Sequence, residues 1–225
     1  MKNTWKLKEL GEFVDSLEME DDFLSDLVTS ISRSFTLFSY HIYEARNSMG
    51  EFHDKGDPVG HKQVELILGD SKESNELQLS QLKNEAHSIS AIYSIRSIYD
   101  QLAQLLNRLL LDDHFDIGRC DISKVKDKLP DSSIKTQLSE LLSSNKFKYL
   151  QAFVNTVKHR NLVKQNIHID FEEDRAGVKF KGFTYCNESY SEKWSDDLLK
   201  DIVDVKNVVI KIGQALNNAI LPESV

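Results

Sequence analysis

The stretch 77–111 constrains the fold of this chain most strongly, because apolar residues recur along it at helical spacing. These residues are Ile89, Ile92, Tyr93, Ile95, Ile98, Tyr99, Leu102, Leu105, Leu106, Leu109 and Leu110. Steps of three and four residues predict one long α-helix. Its apolar face is wide, so at least two neighbouring elements must bury it, which favours a helical bundle.

The same periodicity recurs along most of the chain and predicts six further helices. They span residues 3–18, 21–48, 122–129, 132–144, 146–163 and 196–220. The chain has 225 residues, 40% of them hydrophobic, which is enough for one sizeable core and short for two. We therefore expect a single mainly α domain over 1–225, a bundle of four to five long helices in which 1–19 is a leading helix.

Two other segments interrupt the helical pattern. Residues 50–60 contain three Gly and one Pro and predict a break, after which 61–70 can form only one or two turns. Residues 167–171 and 178–183 alternate apolar and polar side chains around a turn-like segment. This alternation predicts a small β-hairpin over 167–184, inserted before the last helix and supported by the helices, with a polar loop after it.

Charge is distributed unevenly along the chain. The net charge is −8, yet residues 141–169 contain no Asp or Glu and carry +5. An acidic protein as a whole should repel nucleic acid and anionic membranes. The basic segment therefore has two interpretations. Its cations complement the dipole at a helix C-terminus, or they form a site for an anionic ligand.

The helix before the predicted hairpin ends in the strongest candidate site. Asn155 and His159 lie one helical turn apart, on the same face. Arg160 is rotated by about 100° from His159, so Lys158, His159 and Arg160 cannot all be buried. A neutral imidazole can act as a general base while Lys or Arg holds a phosphate. This combination suits metal-independent cleavage of RNA through its own 2′-hydroxyl, with His168 as a second imidazole.

A structural interpretation of the same residues stays open. A His near a helix end often caps carbonyl groups, and the neighbouring cations would then only fasten the hairpin to the helices. A buried Asn155 would need hydrogen-bond partners and would act as a fastener as well. Two interpretations of Asp100 stay open. It forms an i,i+4 ion pair with Arg96 on the solvent side, or it orients the basic cluster.

Other kinds of chemistry have little support in the sequence. The chain contains no Gly-rich phosphate loop, no CxxC, no HExxH motif and no nucleophile elbow, so we expect neither a metal nor a cofactor. Cys120 and Cys186 lie far apart, as is typical of a reduced compartment. There is no signal peptide and no apolar run of about 18 residues. A soluble cytoplasmic protein without membrane contact is the expectation.

Arg160 and Asn161 followed by His168, together with the run IYDQLAQLLNRLL in the longest helix, resemble a known superfamily. It is the HEPN superfamily (higher eukaryotes and prokaryotes nucleotide-binding domain), and the resemblance covers about residues 20–165. It implies a helical bundle that binds RNA or acts as a metal-independent ribonuclease. It also implies a homodimer whose two motifs face one cleft, in a bacterial defence or toxin–antitoxin context with an antitoxin-like partner protein.

The resemblance also implies roles for individual residues. Arg160, Asn161 and His168 would carry the site, and Asp100 would be the acidic partner from the earlier helix. Seven residues separate Arg160 from His168, which is more than the family pattern has, so His159 would take the place of His168. The alternative is a non-enzymatic interaction or nucleotide-binding protein. The residues expected to bind substrate are Lys158, Asn161, Asn155 and Lys164.

Overall fold

The computed structural model describes residues 4–17, 22–50, 72–173 and 175–221. Seven α-helices lie in these ranges: α1 (Leu7–Asp15), α2 (Phe23–Ser48), α3 (Lys72–Leu110), α4 (Ile122–Lys128), α5 (Ser133–Ser143), α6 (Asn145–His159) and α7 (Ser195–Ile220). Five short strands precede α7: β1 (Gln165–Asp170), β2 (Arg175–Phe180), β3 (Phe183–Tyr185), β4 (Glu188–Tyr190) and β5 (Lys193–Trp194). The prediction of a mainly α fold with a β-hairpin before the last helix is confirmed. None of the described helices is both long and apolar enough to cross a membrane.

The helix boundaries differ from the predicted ones mainly at the ends of the elements. Helix α1 covers only Leu7–Asp15 of the predicted 3–18. Helix α3 begins at Lys72 instead of residue 77, because no Gly or Pro precedes the apolar stripe over 72–76 and Lys72, Glu73 and Glu76 have high helix propensity. The predicted break and turns over 50–70 lie outside the described residues, apart from Gly50.

Helix α6 ends at His159, four residues earlier than predicted, because the backbone hydrogen-bond pattern changes there. The N–H groups of Arg160 and Asn161 both donate to the carbonyl oxygen of Thr156, over 2.9 and 3.1 Å. Two donors on one carbonyl close the last turn and lead the chain out of the helix. Residues 160–164 then lead directly into β1.

The described residues group into two compact units, and the single domain over 1–225 stays a prediction. The first unit comprises the described parts of Met1–Leu37, Ser94–Lys148 and Ile202–Val225. Helices supply its apolar core, which includes Leu10, Val14, Leu24, Ile31, Ile98, Leu102, Leu106, Val125, Leu138, Phe147, Val209 and Leu216.

Trp5 anchors the start of α1 within the first unit. Its indole Nε1 donates to Oδ1 of Asn217 over 2.9 Å, and Nδ2 of Asn217 donates to the carbonyl of Lys6 over 2.9 Å. The indole lies against Gly213 of α7, where an added Cβ would come within 2.1 Å of a ring atom. Because only glycine leaves room for the ring, Gly213 fixes where the leading helix packs.

The second unit comprises the described parts of Phe38–Tyr93 and Tyr149–Asp201. Its larger sheet has the strand order β1-β2-β5, with both pairings antiparallel. Ile167 of β1 lies opposite Val178 of β2, and both pack with Met49 and Leu77 in one apolar cluster. Strands β1 and β2 are therefore the hairpin that the alternating pattern predicts, and helices cover its apolar face.

The segment after β2 is not the polar loop that the sequence suggests, because it folds into a second hairpin, β3–β4, followed by β5. Its turn residues Cys186 and Asn187 have φ angles of 48° and 65°, as in a two-residue type I′ turn. The rings of Phe183 and Tyr190 stack across the hairpin, 5.0 Å apart. Tyr149 of α6 contacts both rings, at 5.4 and 5.8 Å, and so holds the hairpin against the helix.

A buried amide, Asn84 of α3, connects four elements of the second unit. Its Nδ2 donates to the carbonyl of Ala45 in α2 over 2.6 Å. Its Oδ1 accepts from Nε2 of Gln165 in β1 over 2.7 Å and from the hydroxyl of Ser195 in α7 over 2.8 Å. Asn84, Gln165 and Ser195 are each at most 3% exposed. Buried polar groups are costly without partners, so this network specifies how the four elements meet.

We predict that Asn84→Ala lowers the free energy of unfolding by about 2–4 kcal/mol, because it removes the hydrogen bonds that Asn84 makes with four buried partner groups. Urea denaturation followed by circular dichroism measures the change. Asn47→Ala on the exposed side of α2 is the matched control and should change the stability by less than about 0.5 kcal/mol. Equal effects of the two substitutions would contradict the role of the network.

Candidate functional site

The end of α6 places a cluster of basic side chains in solvent. Lys158 and His159 occupy the last turn of the helix, and Arg160 follows it; all three are exposed. The structure therefore does not bury Lys158 or His159 against the hairpin. That exposure argues against burial of these two side chains as fasteners of the hairpin, whereas complementing the helix dipole requires no burial.

Arg160 has specific partners in the second hairpin. Its Nη1 donates to the carbonyl of Thr184 over 3.0 Å, and its Cζ lies 5.1 Å from the ring centroid of Tyr185. A guanidinium group has five N–H donors in a planar fork. Because Arg160 is exposed and the bond to Thr184 uses one donor, the remaining edge can bind an anion such as phosphate.

Two further lysines lie beside this helix end. Lys164 precedes β1 and Lys181 follows β2, and the N–H of Lys181 donates to the carbonyl of Lys164 over 2.9 Å. Both side chains are exposed. We name the set of Lys158, Arg160, Lys164 and Lys181 the α6-end surface.

The cations of the α6-end surface differ from other cations of the second unit in their pairing. Lys179 lies near Asp170 and Glu192, at 3.6 and 3.3 Å, and Lys193 pairs with Asp201 over 2.6 Å. Within the described residues, no carboxylate forms an ion pair with any member of the α6-end surface. Their charge is thus available to a ligand.

The two asparagines expected to bind substrate lie at different depths. Asn155 is half-buried in α6, one residue before the buried Thr156. Asn161 is exposed, and its Nδ2 donates to the carbonyl of Leu162 over 3.0 Å. Asn161 therefore shares the exposed segment with Arg160, whereas Asn155 contributes a more enclosed amide. Their binding roles stay predictions.

His168 lies in β1, among side chains of the larger sheet. Its ring is 5.5 Å from that of Trp194, which is also covered by Arg175 and Lys179 at 4.5 and 4.3 Å. Among the described residues, no hydrogen bond or ring contact joins His168 to His159 or Arg160. A joint action of two imidazoles therefore stays a prediction.

Asp100 forms the i,i+4 ion pair that was one of its two expected roles. Its Oδ2 accepts from Nε of Arg96 over 2.9 Å, and Arg96 also donates to the hydroxyl of Tyr99. The Asp100 side chain is 47% exposed and belongs to the first unit. Its proposed role as a partner of Arg160 stays a prediction.

Thr184 and Tyr185 complete the surroundings of Arg160, and Lys181 pairs through its backbone with Lys164. None of these three residues stands out in the sequence. The usable signal is the alternation of aromatic residues over Phe183–Tyr190, which is typical of short strands. The Cys186–Asn187 turn lacks the glycine that normally marks a two-residue hairpin. For that reason the segment resembles a loop.

Comparisons of the chain with protein-family models, with curated proteins and with solved structures find no match. In the parts of the chain that the structure describes, no group of three or more His, Cys, Asp or Glu side chains is placed to hold a metal ion.

Two histidines that contact each other, His41 and His87, lie elsewhere in the second unit. Nδ1 of His41 in α2 is 3.0 Å from Nδ1 of His87 in α3, and the ring of Tyr40 contacts both imidazoles. One of these nitrogens must donate and the other accept, so at least one ring is neutral. Burial lowers the pKa of His41, the proximity of His87 lowers it further, and Glu44 raises it.

We predict that the protein becomes less stable as the pH falls through the titration range of histidine. A His whose pKa is lower in the folded state than in the unfolded state contributes stability at high pH, and this contribution is lost on acidification. Denaturant titrations at about pH 7.5 and about pH 5.5 measure the effect. His41→Gln should reduce the pH dependence, and Asn47→Ala, which changes no titratable group at an exposed position of the same helix, should preserve it. A dependence unchanged by His41→Gln would contradict the assignment.

Proposed function

We propose that this protein binds single-stranded RNA through the α6-end surface. The observation that carries the proposal is the set of exposed cations without ion-pair partners among the described residues, in a chain whose net charge is −8. An acidic protein repels nucleic acid except where its cations cluster, so a phosphate backbone should approach here.

The chemistry around Arg160 supports a single strand as the ligand. Its guanidinium retains free donors for a phosphate, and Tyr185 beside it offers an aromatic side chain next to the cation. Leu162, which is 58% exposed, adds apolar area on the same segment. Single-strand binding surfaces combine cations that follow the backbone with side chains on which bases stack. The choice of RNA over DNA rests on the resemblance to the HEPN superfamily.

We predict a salt-dependent affinity for RNA. If all four cations contact phosphates, the logarithm of the association constant should fall with the logarithm of salt concentration with a slope of about −3. The variant Lys164→Ala/Lys181→Ala should bind more weakly, with a slope shallower by about 1.4. Fluorescence anisotropy of a labelled single-stranded RNA measures both quantities.

The matched control for this measurement is Lys8→Ala/Lys200→Ala, which removes two exposed lysines that already pair with carboxylates. It should leave the affinity and the slope nearly unchanged. A DNA strand of the same sequence should compete less well than the RNA. If the control variant loses as much affinity as the α6-end variant, the binding is not local to this surface, and the proposal is wrong.

We further propose that the same site cleaves RNA without a metal. His159 would take the proton from a 2′-hydroxyl, whose oxygen attacks the adjacent phosphorus, and Arg160 would stabilise the charge on the phosphorane. The bond from phosphorus to the 5′-oxygen then breaks, and that oxygen receives a proton from an acid, for which His168 is the candidate. The products are a 2′,3′-cyclic phosphate and a 5′-hydroxyl. The exposure of His159 next to Arg160 supports this step.

We predict that the wild-type protein cleaves a mixed RNA pool in the presence of EDTA, and that Arg160→Ala and His159→Ala each reduce the rate by about a hundredfold or more. Gel analysis and detection of cyclic phosphate ends measure the reaction. Circular dichroism confirms that all proteins are equally folded. RNA binding without cleavage would remove the enzyme proposal and keep the binding proposal.

A further inference from the structure

A small cavity lies in the second unit, between α2, α3, β2 and the start of α7. Met49, Val178 and Trp194 form its apolar wall, and all three are buried. The volume of the cavity is about 50 Å³. A single water needs roughly 10–15 Å³, and pockets for drug-sized ligands have roughly 300–1,000 Å³. The cavity therefore has room for a few waters or one small ion, and it is too small to enclose a whole nucleotide.

Two guanidinium groups line this cavity from different elements. Arg46 of α2 is exposed, and no described carboxylate forms an ion pair with it. Arg175 of β2 is half-buried. Its Nη1 donates to Oδ2 of Asp197 over 2.7 Å, and its Cζ lies 4.5 Å from the ring centroid of Trp194, which orients the group. Because a guanidinium has five N–H donors, both groups keep donors for a ligand.

A buried amide adds a further donor at the same cavity. Asn84 of α3 lines the cavity, and it is only 2% exposed. Its Nδ2 carries two N–H groups, of which the bond to the carbonyl of Ala45 uses one. Among the described residues, no second acceptor bonds this nitrogen. An unused donor on a buried polar group is costly, and an acceptor atom in the cavity would satisfy it.

The carboxylates near the cavity are already compensated. Asp197 pairs with Lys200 over 3.1 Å as well as with Arg175. Asp196 lines the cavity from the first turn of α7, where a carboxylate complements the positive end of the helix dipole. Arg46 therefore remains, among the described residues, a cation at this cavity without a carboxylate partner.

We infer that this cavity binds a small oxyanion such as inorganic phosphate. Its donors come from Arg46, Arg175 and Asn84 on three different elements, and an oxyanion offers acceptor atoms in several directions at once. Waters would satisfy the donors but would leave the charge of Arg46 without a counter-charge. Arg175 and Lys181 lie about 20 Å apart along β2, so the cavity is separate from the α6-end surface. The inference does not depend on RNA binding.

Titration with inorganic phosphate, followed by proton–nitrogen correlation NMR, tests the inference. Saturable shifts are expected for the side-chain amide of Asn84 and for the backbone amides of Ala176, Gly177 and Ser195, which line the cavity. Sulfate should compete, whereas sodium chloride at the same ionic strength should produce no such shifts. Adenosine 5′-monophosphate should bind more weakly than free phosphate, because the cavity does not enclose its base and sugar. Equal or tighter binding of this nucleotide would overturn the assignment to a free ion.

Two substitutions on α2 connect the shifts to the unpaired cation. Arg46→Met removes the guanidinium at an exposed position, so it should weaken phosphate binding by about tenfold or more without changing the circular dichroism. Arg33→Met, at an exposed position of the same helix, is the matched control and should bind phosphate like the wild type. The inference is overturned if no saturable shifts occur at the cavity, if both substitutions weaken binding equally, or if the shifts are confined to the α6-end surface.

Discussion

The hydrogen bonds of Asn84 are the constraint on which the second unit depends. This one amide joins α2, α3, β1 and α7 through Ala45, Gln165 and Ser195. Because Gln165 is the first residue of β1, the network fixes where the strand begins. Helix α6 ends at His159, so only five residues connect these two points. Those five residues contain Arg160 and Lys164, and the position of the candidate site therefore follows from a buried polar network.

The candidate site combines a structural role with the proposed binding role. Lys158 in the last turn of α6 complements the dipole at the helix C-terminus, and Arg160 also holds the second hairpin through Thr184 and Tyr185. Neither role neutralises the positive charge of these side chains. A guanidinium that donates one hydrogen bond keeps further donors, and exposed lysines without carboxylate partners keep their charge available. Structural contacts that orient Arg160 also reduce the entropy that a ligand must remove.

Local patterns predicted the main features of the fold but not the contacts between distant segments. The apolar periodicity of α3 and the alternation in β1 and β2 are local signals, and both elements form where those signals lie. The β3–β4 hairpin was missed because its strands have three residues each and its Cys186–Asn187 turn lacks glycine. The role of Asn84 was missed because its partners Gln165 and Ser195 lie 81 and 111 positions away in the chain. The sequence did identify Lys158, His159 and Arg160 as a cluster that cannot be fully buried, whereas their ligand stays a proposal.

The most direct test of RNA binding at the α6-end surface is ultraviolet cross-linking of the wild-type protein to a single-stranded RNA, followed by mass spectrometry of the linked peptides. This measurement reports the position of the RNA without relying on a substitution. Binding at the α6-end surface predicts cross-links in the segment after α6 and in the second hairpin, with Tyr185 as the expected aromatic site. Cross-links confined to other parts of the chain, or none at low salt, would contradict it.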